Sequence, residues 1–404
     1  MVSASETLPR ATGRIRWTLL LGVWLIYFCF GLTSAVMAPM VGLIRSDLDA
    51  GNAAMGAVLG AWQLAYIFAA IPCGILLDRL GVRWMLVASC AVMALSATAR
   101  ALSDTPLQLW LAVAFFGLGG PMISIGAPKL ITGLFRGAQR GGAMGVYMTG
   151  PFLGGIAGLA LTHTVLLPAF GDWRGVLLAV AAFVALAGLC WAVLTALPGF
   201  AEASHQEGQG KKFDLSAFGA LLRYPEVQLI LVMSIGIFFI NHGMNNWLPE
   251  LLVAGGLSPT DAGYWAACST AVCILGAVAV PRLATPERRI GAMAGLFAAA
   301  LAASLLLQFP PGPPVALALV LQGIARGSMM TVAIMLLMES KGVPADRLGL
   351  AGGLFFTMAE IGGVLGPVTF GVLSAATGGF AAPLAAMSLV CVVLMGVLWR
   401  LRGA

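Results

Sequence analysis

Charge is what this chain has least of. Of 404 residues only 9% are Asp, Glu, Lys or Arg, 60% are hydrophobic, and the mean hydropathy is +0.97. A water-soluble domain carries about 25% charged residues, so water is excluded as the main solvent of this surface. Histidine is scarce too. His163, His205 and His242 lie far apart and match no metal-binding motif, which argues against a metal centre and against a membrane-embedded enzyme; no cofactor is expected. No Gly-x-x-x-x-Gly-Lys-Ser/Thr loop occurs, so the expected energy source is a gradient and not ATP. The seven cysteines all sit in apolar runs without disulfide or metal-ligand spacing and read as small packing residues. The net charge is +6, but the basic residues fall singly and form no patch, so no nucleic-acid partner is expected.

What the sequence has is long apolar runs. A spanning helix needs about 20 mostly apolar residues. Twelve candidates follow: 17–43, 55–77, 84–101, 107–135, 142–166, 175–197, 227–252, 262–280, 290–309, 314–338, 348–376 and 382–401. The first is too long for a signal-peptide core and lacks a cleavage pattern, so it is expected to persist as a span. Basic residues orient the set. With the N-terminus in the cytoplasm, seventeen of the 22 lysines and arginines fall on the cytoplasmic side (Arg10, Lys211, Lys212 and Lys341 among them). Only Arg45, Arg100 and Arg174 fall on the opposite one. Both termini are therefore expected to be cytoplasmic. A polar stretch at 198–226 reads as a cytoplasmic linker between two six-span halves, 1–197 and 227–404.

The halves resemble one another. Gly145-Val-Tyr-Met-Thr149 and Gly154-Gly155-Ile-Ala-Gly158 in span five match Gly353-Leu-Phe-Phe-Thr357 and Gly362-Gly363-Val-Leu-Gly366 in span eleven, at a constant offset of 208 residues. Both spans run in the same direction, so the repeat is parallel in the membrane.

Between spans two and three the sequence reads Gly74-Ile-Leu-Leu-Asp78-Arg79-Leu-Gly81-Val-Arg83. This resembles the loop signature of the major facilitator superfamily, at Gly74, Asp78, Arg79, Gly81 and Arg83; Val82 departs from it. Gly150-Pro151-Phe152-Leu153-Gly154-Gly155 in span five is similar to the core of the family's antiporter motif, with Val146 replacing one of its glycines. The resemblance covers essentially the whole chain. It implies an all-α integral membrane protein of twelve transmembrane helices, in two pseudo-symmetric six-helix bundles around a central cavity. It also implies a multi-pass secondary transporter of a bacterial-type inner membrane, with the lipid bilayer as its surroundings, and a monomer is expected. By resemblance, Asp78, Arg79, Arg83, Gly74 and Gly81 gate the cytoplasmic side, with Asp78 meeting the positive N-terminus of span eleven.

A charged side chain at mid-bilayer costs at least about 2.5–3.5 kcal/mol on insertion scales. Arg326 lies at the middle of span ten and Glu360 at similar depth in span eleven. Two readings stand side by side. The pair neutralises itself as a structural ion pair, or Arg326 binds an anionic substrate with its planar fork while Glu360 releases it or takes up a proton. Span seven adds Asn241, His242, Asn245 and Asn246, which either bind substrate or join helices. Tyr27, Thr33, Gln63, Tyr66 and Tyr147 either line the pathway or pack between helices, and Gln322 is a further candidate lining residue. Lys129 is expected to reach the headgroups, and Glu250 to be solvated at the outer end of span seven.

Trp247-Leu-Pro249-Glu250-Leu-Leu252, Gly171-Asp172-Trp173-Arg174 and Gly362-Gly363-Val-Leu-Gly366-Pro367 resemble the branch of cyanate-type and related small-anion permeases. The expectation is transport of a small organic anion, monocarboxylate-like, by alternating access, with Glu360 as the candidate for proton coupling. Efflux of hydrophobic or drug-like compounds is the alternative.

Overall fold

The structure, a computed structural model, describes residues 13–200, 219, 221–340, 342–344 and 347–402. Among these, eleven helices are long and apolar enough to cross a membrane. One of them, Asn52–Ala101, runs for 50 residues and is interrupted at Gly81, with φ 74° and ψ 166°. That conformation is open to glycine and costly for residues with a Cβ. Gly81 therefore separates spans two and three, and the total is twelve.

The remaining spans are one Gly13–Ala35, four Pro106–Leu134, five Ala138–Leu161, six Trp173–Leu194, seven Pro225–Ala254, eight Pro259–Leu283, nine Arg289–Leu306, ten Pro313–Glu339, eleven Leu348–Thr377 and twelve Ala381–Arg402. Their starts carry ordinary signals. Proline occupies the first turn of spans four, seven, eight and ten, where its missing N–H costs nothing. Side chains of Thr105, Asp172 and Ser258 accept from the backbone N–H groups of Gln108, Gly175 and Asp261, satisfying donors the helix leaves free.

Two span ends differ from the sequence expectation. Span one stops at Ala35, eight residues before the expected end, and continues through a 3-10 turn at Ala38–Met40 into a short helix, Val41–Asp47. Pro39 has no N–H to continue the ladder. Span five switches to a π-helical turn at Thr162–Leu166, and His163 Nε2 lies 2.8 Å from the Pro39 carbonyl oxygen. Arg100, counted among the charges on the side opposite the termini, is 2% exposed. Its Nη1 donates to the Thr33 carbonyl at 3.1 Å and its guanidinium lies 5.0 Å from the Phe116 ring centroid. A cation at the C-terminal end of a helix meets free carbonyls and the negative end of the dipole, so Arg100 caps the broken end of span one.

The spans form two six-helix bundles. In the first, span one packs on five and three on six; in the second, seven packs on eleven, eight on ten and nine on twelve. The 208-residue repeat has a packing cause. A Cβ on Gly154 would collide with the Phe28 carbonyl of span one, and a Cβ on Gly362 with the Ile235 carbonyl of span seven. Small residues that let backbones meet are a main source of helix association in lipid, and the two halves use equivalent positions.

The bundles touch at one end. Call the end bearing residues 13 and 402 the termini face and the other the far face. Near the far face, Gly56 of span two abuts Pro367 and Gly371 of span eleven, Gly60 abuts Val364, and Gly263 of span eight abuts the Leu159 carbonyl of span five. Arg45 and Glu250 form an ion pair there at 3.7 Å. Near the termini face, Cβ atoms built on Gly74, Gly145, Gly349 or Gly353 would meet nothing within 4 Å, and Phe68, Ile71 and Ile75 of span two are exposed. The protein is closed at the far face and open toward the termini face. Glu250 is correspondingly not solvated: its side chain is 16% exposed, because the end of span seven faces the other bundle.

The 198–226 linker falls largely outside the described residues, as do Arg10, His205, Lys211, Lys212 and Lys341.

Candidate functional site

Arg326 follows from its helix. Span ten is apolar enough to span a membrane, and its turn at Gln322-Gly323-Ile324-Ala325-Arg326-Gly327 presses against span eight. A Cβ at Gly323 would crowd Val272, and one at Gly327 would collide with the Cys273 carbonyl. Gln322 and Arg326, one turn apart, share a side of the helix and are 0% and 7% exposed.

Arg326 Nη2 donates to Asn245 Oδ1 of span seven at 2.9 Å. Its Nε is buried without a hydrogen-bond partner, as are both amide atoms of Gln322. No ion pair joins Arg326 to Glu360 among the described residues. A buried guanidinium held by one neutral amide keeps its charge available, whereas a buried polar group with no partner costs about 1–3 kcal/mol. The site thus retains donors and a positive charge that an anion can satisfy.

A second cluster lies one turn along span seven, where the bundles meet. Gln63 Nε2 of span two and His242 Nδ1 are 3.1 Å apart. An amide nitrogen can only donate, so the ring nitrogen is the acceptor of this contact. A Cβ built on Gly363 would lie 2.7 Å from Glu360 Oε2, 3.1 Å from Gln63 Cγ and 3.2 Å from His242 Cδ2. The carboxylate, the amide and the imidazole therefore crowd one small volume that only a glycine leaves open. Glu360 is 5% exposed, and its Oε2 has no hydrogen-bond partner.

Aromatic rings cover the first bundle's side of the site. Trp62 makes edge-on contacts with Phe30, Tyr66, Phe116 and His242 at centroid distances of 5.8, 6.4, 5.8 and 5.5 Å. Phe238 lies 5.4 Å from the His242 ring. Tyr27 stacks on Tyr147 at 4.6 Å, and Tyr66 Oη lies 2.8 Å from Ser124 Oγ.

The structure therefore brings together Arg326, Asn245, Gln322, His242 and Glu360, whereas Tyr27 and the buried Tyr147, in the opposite bundle, connect to them, among the described residues, only through Phe30 and Trp62. Asn241 is half-buried beside them. Asn246 turns away; its amide donates to the carbonyl of His242 on its own helix, and it is 2% exposed. Thr33 likewise bonds back to Cys29. Trp62 and Phe238 escaped the sequence reading because an aromatic in an apolar span carries no signal of what it faces.

At the termini face, Asp78 Oδ1 accepts from Lys129 Nζ at 2.9 Å within its own bundle. Lys129 thus turns to an acid and not to headgroups, since span four passes beside the end of span two. No hydrogen bond or ion pair joins Asp78 to span eleven among the described residues, in keeping with an open face. Arg79 is exposed, and the Arg83 guanidinium lies 4.9 Å from the Trp84 ring centroid. Elsewhere, an apolar groove of about 240 Å³ between spans eight and ten is lined by Trp265, Val272, Leu319 and Val320 among others; no charged side chain lines it.

Comparison with known proteins agrees with this architecture. A quinolone resistance transporter of Acinetobacter baumannii is 24% identical, covering 85% of this chain and 84% of the relative. The 4-hydroxybenzoate transporter PcaK of Pseudomonas aeruginosa is 27% identical, covering 66% and 65%. The crystal structure of a mutant of the nucleoside transporter NupG superposes with a TM-score of 0.78 at 18% identity, covering 95% of this chain and 99% of that one; this likeness shows the fold. Residues 23–367 match the family model of the Major Facilitator Superfamily. With twelve spans in two bundles and a match over most of its length, the chain belongs to the Major Facilitator Superfamily and is a multi-pass membrane transporter.

Proposed function

We propose that the chain carries a small organic anion, monocarboxylate-like, across the membrane by alternating access. The observation that carries this reading is Arg326, a buried guanidinium of the second bundle whose partner is a neutral amide and not an acid. The substrate carboxylate binds Arg326 with Asn245 and Gln322, and its charge replaces the missing counter-ion. The likeness to a 4-hydroxybenzoate transporter is in keeping with an anionic cargo, as is the sequence resemblance to cyanate-type permeases. Placing the termini in the cytoplasm makes the present state inward-facing. The cycle then requires the far-face contacts of Gly56, Gly60 and Arg45 to part while the loop around Asp78 closes against span eleven. Glu360, crowded with Gln63 and His242, is the group that couples a proton to this exchange.

A second reading, efflux of a drug-like compound, is favoured by the likeness to a quinolone resistance transporter. The test is transport in proteoliposomes. On the anion reading, a radiolabelled monocarboxylate accumulates under a gradient, Arg326→Ala abolishes this, and Glu360→Gln retains counterflow while losing dependence on a pH gradient. Unchanged monocarboxylate kinetics in Arg326→Ala contradict the anion reading, and pH-gradient dependence equal to wild type in Glu360→Gln removes the proton role.

A further inference from the structure

The geometry points to a planar aromatic carboxylate, an acid bonded directly to a flat ring, as the substrate class of the Arg326 site. This inference rests on the anion reading above and narrows it. One side of the site is charged and amide-bearing: Arg326, Asn245 and Gln322, all from spans seven and ten. The other is a wall of rings from the first bundle, Tyr27, Phe30, Trp62 and Tyr66 of spans one and two, backed by the buried Phe116 of span four. The chain has only five tyrosines, and Tyr27 and Tyr66 are both here, with Tyr147 stacked on Tyr27.

The two sides are one helical turn apart. Trp62 contacts His242, and His242 lies three residues from Asn245, the partner of Arg326, which is about 4.5 Å of rise. A ring attached directly to a carboxylate bridges that step, whereas a short aliphatic acid would satisfy the guanidinium and leave the wall uncovered. Trp62, Tyr66 and Tyr27 are each partly exposed. Edge-on contacts on several sides of the Trp62 indole fix its plane, and a fixed aromatic surface rewards a flat ring over a puckered one.

The test compares binding of four compounds to the purified full-length protein by titration calorimetry. These are benzoate, cyclohexanecarboxylate, butyrate and benzylamine. Benzoate and cyclohexanecarboxylate share charge and carbon number and differ in flatness and π character. Benzoate is expected to bind about threefold to tenfold more tightly than cyclohexanecarboxylate, with butyrate weaker than both and benzylamine without measurable binding. In Trp62→Leu the benzoate preference falls to about unity while cyclohexanecarboxylate affinity changes less than twofold. Trp62→Phe, which keeps a ring should the leucine variant not fold, retains more than half of the preference on a logarithmic scale. Benzoate binding no tighter than cyclohexanecarboxylate overturns the aromatic inference and leaves the anion reading standing. Benzylamine binding as tightly as benzoate overturns both, and so does binding of none of the four.

Discussion

Arg45, in the short helix after span one, stands 3.7 Å from Glu250 of span seven and also donates to Asn52 Oδ1 at 2.5 Å. This pair joins the two bundles at the far face, beside the glycine contacts of spans two and eleven. A partly exposed ion pair contributes about 0.2–1 kcal/mol, so its loss should shift the balance of far-face-closed to far-face-open states by about 1.4-fold to fivefold. Spin labels at Ser46→Cys and Ala254→Cys, with exposed Cys190 and Cys268 replaced, read that distance. Glu250→Gln is expected to broaden the distribution toward longer separations, and the swap Arg45→Glu with Glu250→Arg to restore it. An unchanged distribution in Glu250→Gln would remove the latch.

Gln63 and His242 couple the bundles deeper in the protein. A double-mutant cycle of Gln63→Leu and His242→Phe, read by thermal unfolding, should give a coupling of about 0.5–1.5 kcal/mol. Additive effects would mean that the 3.1 Å contact contributes nothing to the closed far face.

The repeated glycines separate into two kinds. Gly154→Val and Gly362→Val drive a side chain into a neighbouring backbone carbonyl, and each should abolish recovery of monodisperse protein. Gly145→Ala and Gly353→Ala, equally spaced by 208 residues but facing open space, should leave the melting temperature unchanged or slightly raised, because alanine favours helix over glycine. Size-exclusion chromatography followed by melting checks both halves of this statement.

Asp78 and Lys129 form an exposed pair, so Lys129→Met should change stability by less than about 0.5 kcal/mol. Asp78→Asn should leave stability similarly unaffected and yet slow counterflow at least fivefold, since in the proposed cycle Asp78 leaves Lys129 and engages span eleven when the termini face shuts. Equal counterflow in Asp78→Asn and wild type would show that the acid only balances charge.

Much of the architecture was legible in the chain because lipid leaves few alternatives: backbone groups must be satisfied within each helix. The break between spans two and three was visible as Gly81 among charges, and the repeat as glycines at a fixed offset. What could not be read were contacts between residues remote in sequence. Glu250 reads as a solvated helix end until Arg45 of the other bundle is placed beside it. Arg100 reads as a charge at the end of span three, and the broken carbonyl ladder before Pro39 that it caps is invisible in one dimension. Arg326 and Glu360 were recognisable as costly mid-membrane charges, but whether they neutralise each other depended on side-chain directions. The structure pairs Arg326 with Asn245 and crowds Glu360 with Gln63 and His242. Trp62 gave no signal, because an aromatic at an apolar position looks the same facing lipid, core or chamber.

The most direct test of the account is equilibrium binding of a radiolabelled monocarboxylate to detergent-purified wild type, Arg326→Lys and Arg326→Ala, each matched for melting temperature. The account predicts saturable binding in wild type, weaker binding in the lysine variant, where charge remains but the two-point fork is lost, and none in the alanine variant. Saturable binding of equal affinity in Arg326→Ala would contradict it.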